Sequence, residues 1–293
     1  MTKATVLLTG ATGFLGSNLL KALLDQEYKV VILKRSTSDI WRIKQYMDRV
    51  VSYNIDIDPI SLAFEQQRID CVIHTACHYG RNGDSLHLIV ESNLMFGLKV
   101  LDAAIAHNVN TFINTDSMLP RELNAYSLSK KQLVDWLKQQ SEKIQVINLK
   151  LEHMYGPKDD TTKFVPWVVS QLRQNKIEIK LTKGEQQRDF IYIDDVVSAF
   201  LTVFDNIRSL GQFSEFDVGT GKLISVKSFL LQLKQAYEDS FGASPTTLAF
   251  GLLPYRDGEM MTVEVNNQAL ISLGWSPKIC LKQGIENSLK ESI

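Results

Sequence analysis

Cysteine is scarce in this chain: three occur in 293 residues, Cys71, Cys77 and Cys280, at spacings that neither clamp a metal ion nor build a disulfide frame. Cys71 lies in an apolar run and reads as a small buried hydrophobe. No apolar run is long enough to cross a bilayer, and the first residues enter a strand pattern with no charged and then apolar leader, so the expectation is a cytoplasmic protein. An excess of one charge is missing too. With 32 Lys and Arg against 33 Asp and Glu, the net charge of -1 offers no basic field to nucleic acid, and no Lys/Arg cluster suggests a membrane surface. Repeats, low-complexity tracts and a disordered tail are absent as well. What remains is a globular, enzyme-sized protein whose partners are small molecules and which needs no metal.

At 44% hydrophobic and 22% charged, a chain of 293 residues can bury a large core, and two lobes suit that length better than one layer. Strand candidates are Ala4 to Leu8, Lys29 to Leu33, Val50 to Tyr53, Cys71 to Thr75, Thr111 to Asn114 and Gln145 to Leu149, with helical patterns such as Leu94 to His107 and Leu128 to Gln139 between them. Strand and helix in alternation require crossovers, hence an α/β fold with a doubly wound parallel sheet. After about Leu151 the alternation stops, and Pro157, Pro166, Gly184, Gly219, Gly221, Pro245 and later Gly and Pro residues punctuate short elements. The reading is a dinucleotide-binding domain over 1–150 and a smaller α+β, mainly substrate-binding lobe over 151–293, with Phe190-Ile-Tyr-Ile193 and the helical residues up to about 205 returning to the first.

Thr9-Gly-Ala-Thr-Gly-Phe-Leu-Gly16 lies between the first strand and a helical pattern, the context that makes a glycine motif informative. Gly10 turns sharply, Gly13 lets a pyrophosphate approach the backbone, and Gly16 lets the helix pack closely; Thr12, Phe14 and Leu15 complete the turn, whose free amides face the anion. Strand two ends in Lys34-Arg35-Ser36, where an NAD-selective fold would present an acid to the ribose 2′-hydroxyl. Two cations and a hydroxyl suit a 2′-phosphate, which favours NADPH over NAD; two solvated loop charges are the other reading. Asp56 and Ile57, after strand three, are placed to meet the adenine. Ala76, after His74 at the end of strand four, lets the cofactor pass, while His74 itself reads as a packed core histidine.

Tyr126 and Lys130, four apart at the start of a helix that Asn124 can cap, share one face. An ammonium beside a phenol is expected to draw its pKa down from about 10 toward working pH. Tyr126 then exchanges a proton with a carbonyl or alcohol while a nicotinamide exchanges the hydride. Taken alone, a Tyr and Lys four apart are so frequent that the pair reads more readily as exposed residues on an amphipathic helix. Thr115-Asp-Ser117 at the end of the preceding strand changes the balance by supplying a hydroxyl for the same substrate oxygen.

On these motifs, together with Leu151-Glu-His-Met-Tyr-Gly-Pro157, Gln187-Arg-Asp-Phe-Ile-Tyr-Ile-Asp-Asp195, Phe216-Asp-Val-Gly-Thr-Gly221 and Arg256-Asp-Gly258, the chain resembles the extended short-chain dehydrogenase/reductases, in the nucleotide-sugar branch of the NAD-dependent epimerase/dehydratase family. The resemblance covers essentially the whole chain and implies a Rossmann domain. It also implies Tyr126 as acid/base, Lys130 as the residue that orients the ribose, and a hydroxyl residue completing the triad. Ser117, five residues beyond Phe112, is that residue, with Thr115 the alternative if the register shifts. Asn93 matches a position that supports the active-site strand, and a helix cap explains it as easily. Arg188 and Arg256 match positions that meet the substrate diphosphate between the lobes, and His153 stands where many relatives carry an asparagine facing the same group; for the arginines a salt bridge is the competing reading.

Three departures narrow the reaction the resemblance implies. Only eight residues separate Ser117 from Tyr126, a shorter insert than in most relatives. Ser117 stands where a sugar 4,6-dehydratase would carry a glutamate. The cations after strand two suit an NADPH that is released, whereas an epimerase retains its NAD. The segments Leu151 to Asp160, Asn114 to Ser117 and Tyr126 to Lys130 are most similar to the CDP-abequose and CDP-paratose synthases, 4-ketoreductases of bacterial O-antigen (lipopolysaccharide) synthesis. A retained-NAD 4-epimerase and a non-catalytic NADP sensor are the rivals, and a homodimer through two helices competes with a monomer.

Overall fold

The computed structural model describes residues 3–81 and 83–290. The chain clusters into two compact units: one built from the chain up to Leu151 together with Phe200–Asp217, the other from Glu152–Ala199 and the chain from Val218 onward.

The first unit is laid down by strands β1 (Thr5–Thr9), β2 (Lys29–Lys34), β3 (Val50–Asn54), β4 (Cys71–His74), β5 (Thr111–Ser117), β6 (Gln145–Leu151) and β7 (Phe213–Val218). They form one seven-stranded sheet in the order β7-β6-β5-β4-β1-β2-β3, with β1 to β6 parallel. The helices of this unit are α1 (Phe14–Asp25), α2 (Ser61–Gln66), α3 (Leu86–Val90), α4 (Phe96–Ala106) and α5 (Ala125–Gln139). The chain winds outward from β1 to β3, then crosses to β4 on the other side of β1. The crevice at that reversal, beyond the carboxyl ends of β1 and β4, is where ligands bind in sheets of this kind. Register sets Thr9 level with Leu33 on one side and His74 on the other, and His74 level with Asn114, so four strand ends meet there.

Apolar periodicity explains the layers. Along α1, Leu15, Leu19, Leu20, Leu23 and Leu24 are buried, one stripe of a helix against the sheet. The helix ends where Glu27 takes a left-handed φ of 63° and the Tyr28 amide reaches back to the Leu23 carbonyl. A core of Leu7, Val72, Phe112 and Val146 from the strands packs with Val100 and Leu101 of α4 and Leu133 and Leu137 of α5. β5 runs to Ser117, further than its apolar stretch suggested, because Thr115, Asp116 and Ser117 keep pairing with β6 while their side chains are buried.

In the second unit, short strands pair two by two: Phe190–Tyr192 with His153–Tyr155, Ile224–Ser225 with Gln187–Arg188, and Thr247–Ala249 with Glu178–Lys180. Helices Phe164–Arg173, Val226–Phe241 and Leu281–Lys290 accompany them. Buried Asp189 accepts from the Thr220 amide (3.0 Å), its hydroxyl (2.7 Å) and the Gly221 amide (2.7 Å), joining two of the sequence motifs. Among the described residues no helix is long and apolar enough to cross a membrane.

Phe112 is fully enclosed between strand and helices. Phe112→Ala should lower unfolding free energy by about 3–5 kcal/mol in chemical denaturation, and a loss below about 1 kcal/mol would contradict this packing.

Candidate functional site

At the glycine turn, Gly10 holds a φ of +68°, and a Cβ there would lie 2.7 Å from the Ala76 nitrogen and from the Thr75 Oγ1. A Cβ on Gly16 would come 2.1 Å from the Gly10 carbonyl oxygen, so α1 starts against the turn itself. Gly13 caps α1 with no side chain, and no acid stands in the first turn. The positive end of the helix is thus presented without a carboxylate of the chain's own. Buried Thr9 ties the turn to β4. Its Oγ1 lies 2.9 Å from His74 Nδ1 and accepts from the amides of Thr75 (3.2 Å) and Ala76 (3.3 Å). The stretch Gly10 to Gly16, with Thr12, Phe14 and Leu15, and Ala76 are therefore brought together.

Beyond β2 and β3 the arrangement differs from the expectation. The Ser36 amide and hydroxyl both donate to Asp56, at 2.7 and 2.5 Å, and hold that carboxylate below its usual range. Lys34 Nζ is bound to Asn54 Oδ1 at 2.6 Å. The hydroxyl assigned to a 2′-phosphate is thus taken by the carboxylate assigned to the adenine. Arg35 is exposed and makes no ion pair among the described residues, and Ile57 is 69% exposed. Arg42, absent from the sequence reading, donates from Nη1 to the Thr12 carbonyl at 3.4 Å, with its guanidinium over the Trp41 ring.

The helix α5 opens with Asn124 Oδ1 accepting from the Ser127 amide (2.9 Å) while the Asn124 amide donates to Ser127 Oγ (3.2 Å), a reciprocal cap. Tyr126 is half-buried; Lys130, one turn on, is 1% exposed, and its Nζ has no hydrogen-bond partner among the described residues. Burial lowers the Lys130 pKa, against the opposing pull of Cys77 and Asp116. Burial also raises Tyr126 well above the ordinary phenol value, with Cys77, Tyr79 and Asp116 adding to the rise and Arg81 opposing it. This corrects the expectation that Lys130 draws the phenol downward: removal from water penalises the charged form of each group. Cys77 and Asp116 act on both Tyr126 and Lys130, which places all four in one neighbourhood.

Strand alternation turns Thr115 and Ser117 to the face opposite Asp116. The Ser117 Oγ accepts the Leu119 amide at 3.1 Å, whereas the buried Thr115 Oγ1 has no partner among the described residues. Asp116 is closed by Lys131, Nζ to Oδ2 at 2.7 Å, and Lys131 also donates to the Ser117 carbonyl at 2.6 Å. An unpartnered buried ammonium and hydroxyl, beside a glycine cradle that a Cβ would fill, fit a dinucleotide with a ribose to hold.

Asn93 does not cap a helix. The helical run begins earlier, at α3, capped by Ser85, and Asn93 sits in a π-helical turn, Glu91–Met95, before α4. Tyr79 and Arg81 also escaped the sequence reading. They follow the carboxyl end of β4, the position that the rule for such sheets marks for ligands, and that was their only signal.

In the second unit, Arg188 is buried and paired with Glu259, and also donates to the Gln187 carbonyl at 2.7 Å. Arg256 is exposed on the turn that the Glu259 amide closes onto the Arg256 carbonyl at 3.0 Å. His153 is exposed, with Nδ1 2.9 Å from Glu152 Oε2. Arg188 and the Arg256 turn are together; His153 lies level with Phe190, two residues beyond Arg188.

Residues 6–219 match the model of the NAD-dependent epimerase/dehydratase family. The CDP-abequose synthase of Salmonella typhimurium is 34% identical over 98% of this chain and 98% of its own length. That of Salmonella muenchen is 30% identical over 97% and 96%. The crystal structure of Thermus thermophilus UDP-glucose 4-epimerase in complex with NAD superposes with a TM-score of 0.82 over 98% of each chain at 21% identity, a likeness of fold.

Burial and the Lys130 charge push the His74 pKa down to about 3. An unfolded histidine titrates near 6.5, so this group contributes stability above that pH and loses it as pH falls from about 6.5 toward 3. Between pH 6.5 and 4 the unfolding free energy should fall more steeply in the wild type than in His74→Gln, by up to about 1.4 kcal/mol per pH unit. Equal slopes in urea titrations would show that His74 is not held neutral.

Proposed function

The chain belongs to the NAD-dependent epimerase/dehydratase family, as an NAD(P)-dependent oxidoreductase of the extended short-chain dehydrogenase/reductase type, and on that premise we propose that it reduces the C4 ketone of a nucleotide-linked 4-keto-6-deoxy or 3,6-dideoxy hexose with NADPH. The product would serve bacterial surface polysaccharide synthesis. The observation that carries the reading is Tyr126, a phenol held neutral one helical turn from the unpartnered Lys130 ammonium. A neutral phenol is a proton donor, which is what a ketone oxygen needs as it becomes an alcohol. When bound, the nicotinamide supplies the hydride. Lys130 would hold the ribose hydroxyls, and Ser117, whose Oγ accepts the Leu119 amide and keeps its own proton to donate, would bind the ketone oxygen. Thr115, with its buried hydroxyl, is the second candidate for that bond. Likeness to the CDP-abequose synthases supports the ketoreductase reading over other family chemistry.

For the cofactor, exposed Arg35 and the Arg42 guanidinium at the Thr12 carbonyl support NADPH. The Asp56 carboxylate on Ser36 favours a second reading, a 4-epimerase that retains NAD. Protein purified with NAD tightly bound, and forming product without added cofactor, would establish that alternative. For the substrate diphosphate, Arg256 and His153 are the exposed candidates; Arg188, paired with Glu259, would act by holding the Arg256 turn.

Tyr126→Phe should bind NADPH nearly as the wild type does and lose about a hundredfold or more in turnover of nucleotide 4-keto sugars, followed by NADPH absorbance. Full activity would end the mechanism. Arg35→Asp should raise KM for NADPH far more than for NADH; equal changes would remove the cofactor preference.

A further inference from the structure

The loop after β4 carries Cys77, Tyr79 and Arg81, to which the proposed chemistry gives no role. Its course is fixed from below. Asn93 Oδ1 accepts the His78 amide at 2.6 Å, and Asn93 Nδ2 donates to the His78 carbonyl at 2.8 Å and to Ser129 Oγ at 3.0 Å. Ser129 in turn donates to the Tyr126 carbonyl at 2.8 Å, so one amide side chain ties the loop to the helical turn that bears the phenol. The π-helical turn at Glu91–Met95 is the local irregularity in which Asn93 stands. On the loop, His78 Nε2 lies 2.9 Å from Asp84 Oδ2. Gly80 has a φ of +66°, and a Cβ there would crowd Ile89 Cδ1, so any other residue at that position is strained.

The residue after His78 then meets the phenol. The rings of Tyr79 and Tyr126 lie 4.9 Å apart, centroid to centroid, inclined at 31°, and the Arg81 guanidinium lies 4.9 Å from the Tyr79 centroid on its own account. Guanidinium, ring and ring form a chain of contacts ending on Tyr126, at separations within the range of aromatic and cation–π pairs. A phenol at the mouth of a crevice can swing about two side-chain torsions, and a ring packed on it removes most of that freedom. We propose that Tyr79 is a positioning residue for Tyr126, fixing the direction of its hydroxyl, and that Arg81 anchors Tyr79 and lends positive charge to the same contact.

The proposal rests on the reading of Tyr126 as proton donor. The charged and titratable groups around the phenol are Cys77, Tyr79 and Arg81 from the loop, Asp116 from β5, and Lys130 on α5, with Lys131 closing Asp116. Of those acting on the phenol, Arg81 is the one that favours its ionised form, against Cys77, Tyr79 and Asp116.

The test uses the full-length chain, NADPH and a nucleotide 4-keto sugar, with kcat and KM resolved for Tyr79→Phe, Tyr79→Leu, Arg81→Gln and Tyr126→Phe. Tyr79→Phe keeps the ring and should retain kcat within about twofold, whereas Tyr79→Leu should lose about tenfold in kcat with both KM values nearly unchanged, as for a misdirected donor. Removing the Arg81 charge makes the phenol harder to ionise. The protonated form is the active one in ketone reduction, so the alkaline limb of the kcat profile should move to higher pH in Arg81→Gln. Wild-type kcat in Tyr79→Leu, a loss confined to KM, or an alkaline limb that stays in place in Arg81→Gln overturns the proposal. If Tyr79→Leu fails to fold, the Arg81→Gln profile decides alone. An active Tyr126→Phe would instead sink the underlying reading, while an inactive Tyr126→Phe beside an unaffected Tyr79→Leu sinks this proposal only.

Discussion

An ammonium taken out of water and given no acceptor among the described residues is the constraint on which the strand-end cluster depends. Lys130 is enclosed, and Asp116, the carboxylate acting on it, is closed by Lys131. A buried charge without a partner is costly, so the neighbours must either be neutral or supply compensation. His74 answers by staying neutral, with Nδ1 on Thr9, whereas the phenol of Tyr126 is neutral for another reason, its burial beside Cys77, Tyr79 and Asp116. Thr9 then links that requirement to the glycine turn, since the oxygen that meets His74 also accepts the amides of Thr75 and Ala76. The start of α5 and the glycine turn are in this sense one electrostatic unit.

The second unit solves a related problem with a different device. Asp189, enclosed and adjacent to Arg188, is stabilised by three hydrogen bonds from Thr220 and Gly221 rather than by a cation. A Cβ on Gly219 would come 2.9 Å from that carboxylate, so the glycine makes room for the acid. Arg188 pairs with Glu259 instead, which fixes the Arg256 turn while leaving Arg256 exposed.

The sheet of the first unit was legible because its strands are short apolar runs separated by helical periodicity, and the glycine turn because its strand before and helix after are strong local patterns. Tyr126, Lys130 and the Asn124 cap could be named from spacing for the same reason. Three kinds of feature were not legible. Strand ends that keep pairing after the apolar residues stop, as at Thr115 to Ser117, carry no hydrophobic signal. Side-chain partnerships across the sheet, such as Ser36 with Asp56, join residues twenty apart and depend on register rather than on local pattern. Protonation of Tyr126 runs against the expectation because the sequence shows that a lysine lies four residues away but not the burial that disfavours the phenolate.

The edge strand β7 is drawn from residues 213–218, more than sixty residues after the β6 it pairs with. A ribosome that has released the chain only as far as Leu151 has made six strands whose last one presents bare amides and carbonyls on its outer side, an invitation to pair with another chain. The first unit therefore cannot close until the segment Glu152–Ala199, which belongs to the other, has also been synthesised. Birth order along the chain thus couples the two units in time: neither is a simple contiguous half, and the nascent protein has reason to need protection during that interval.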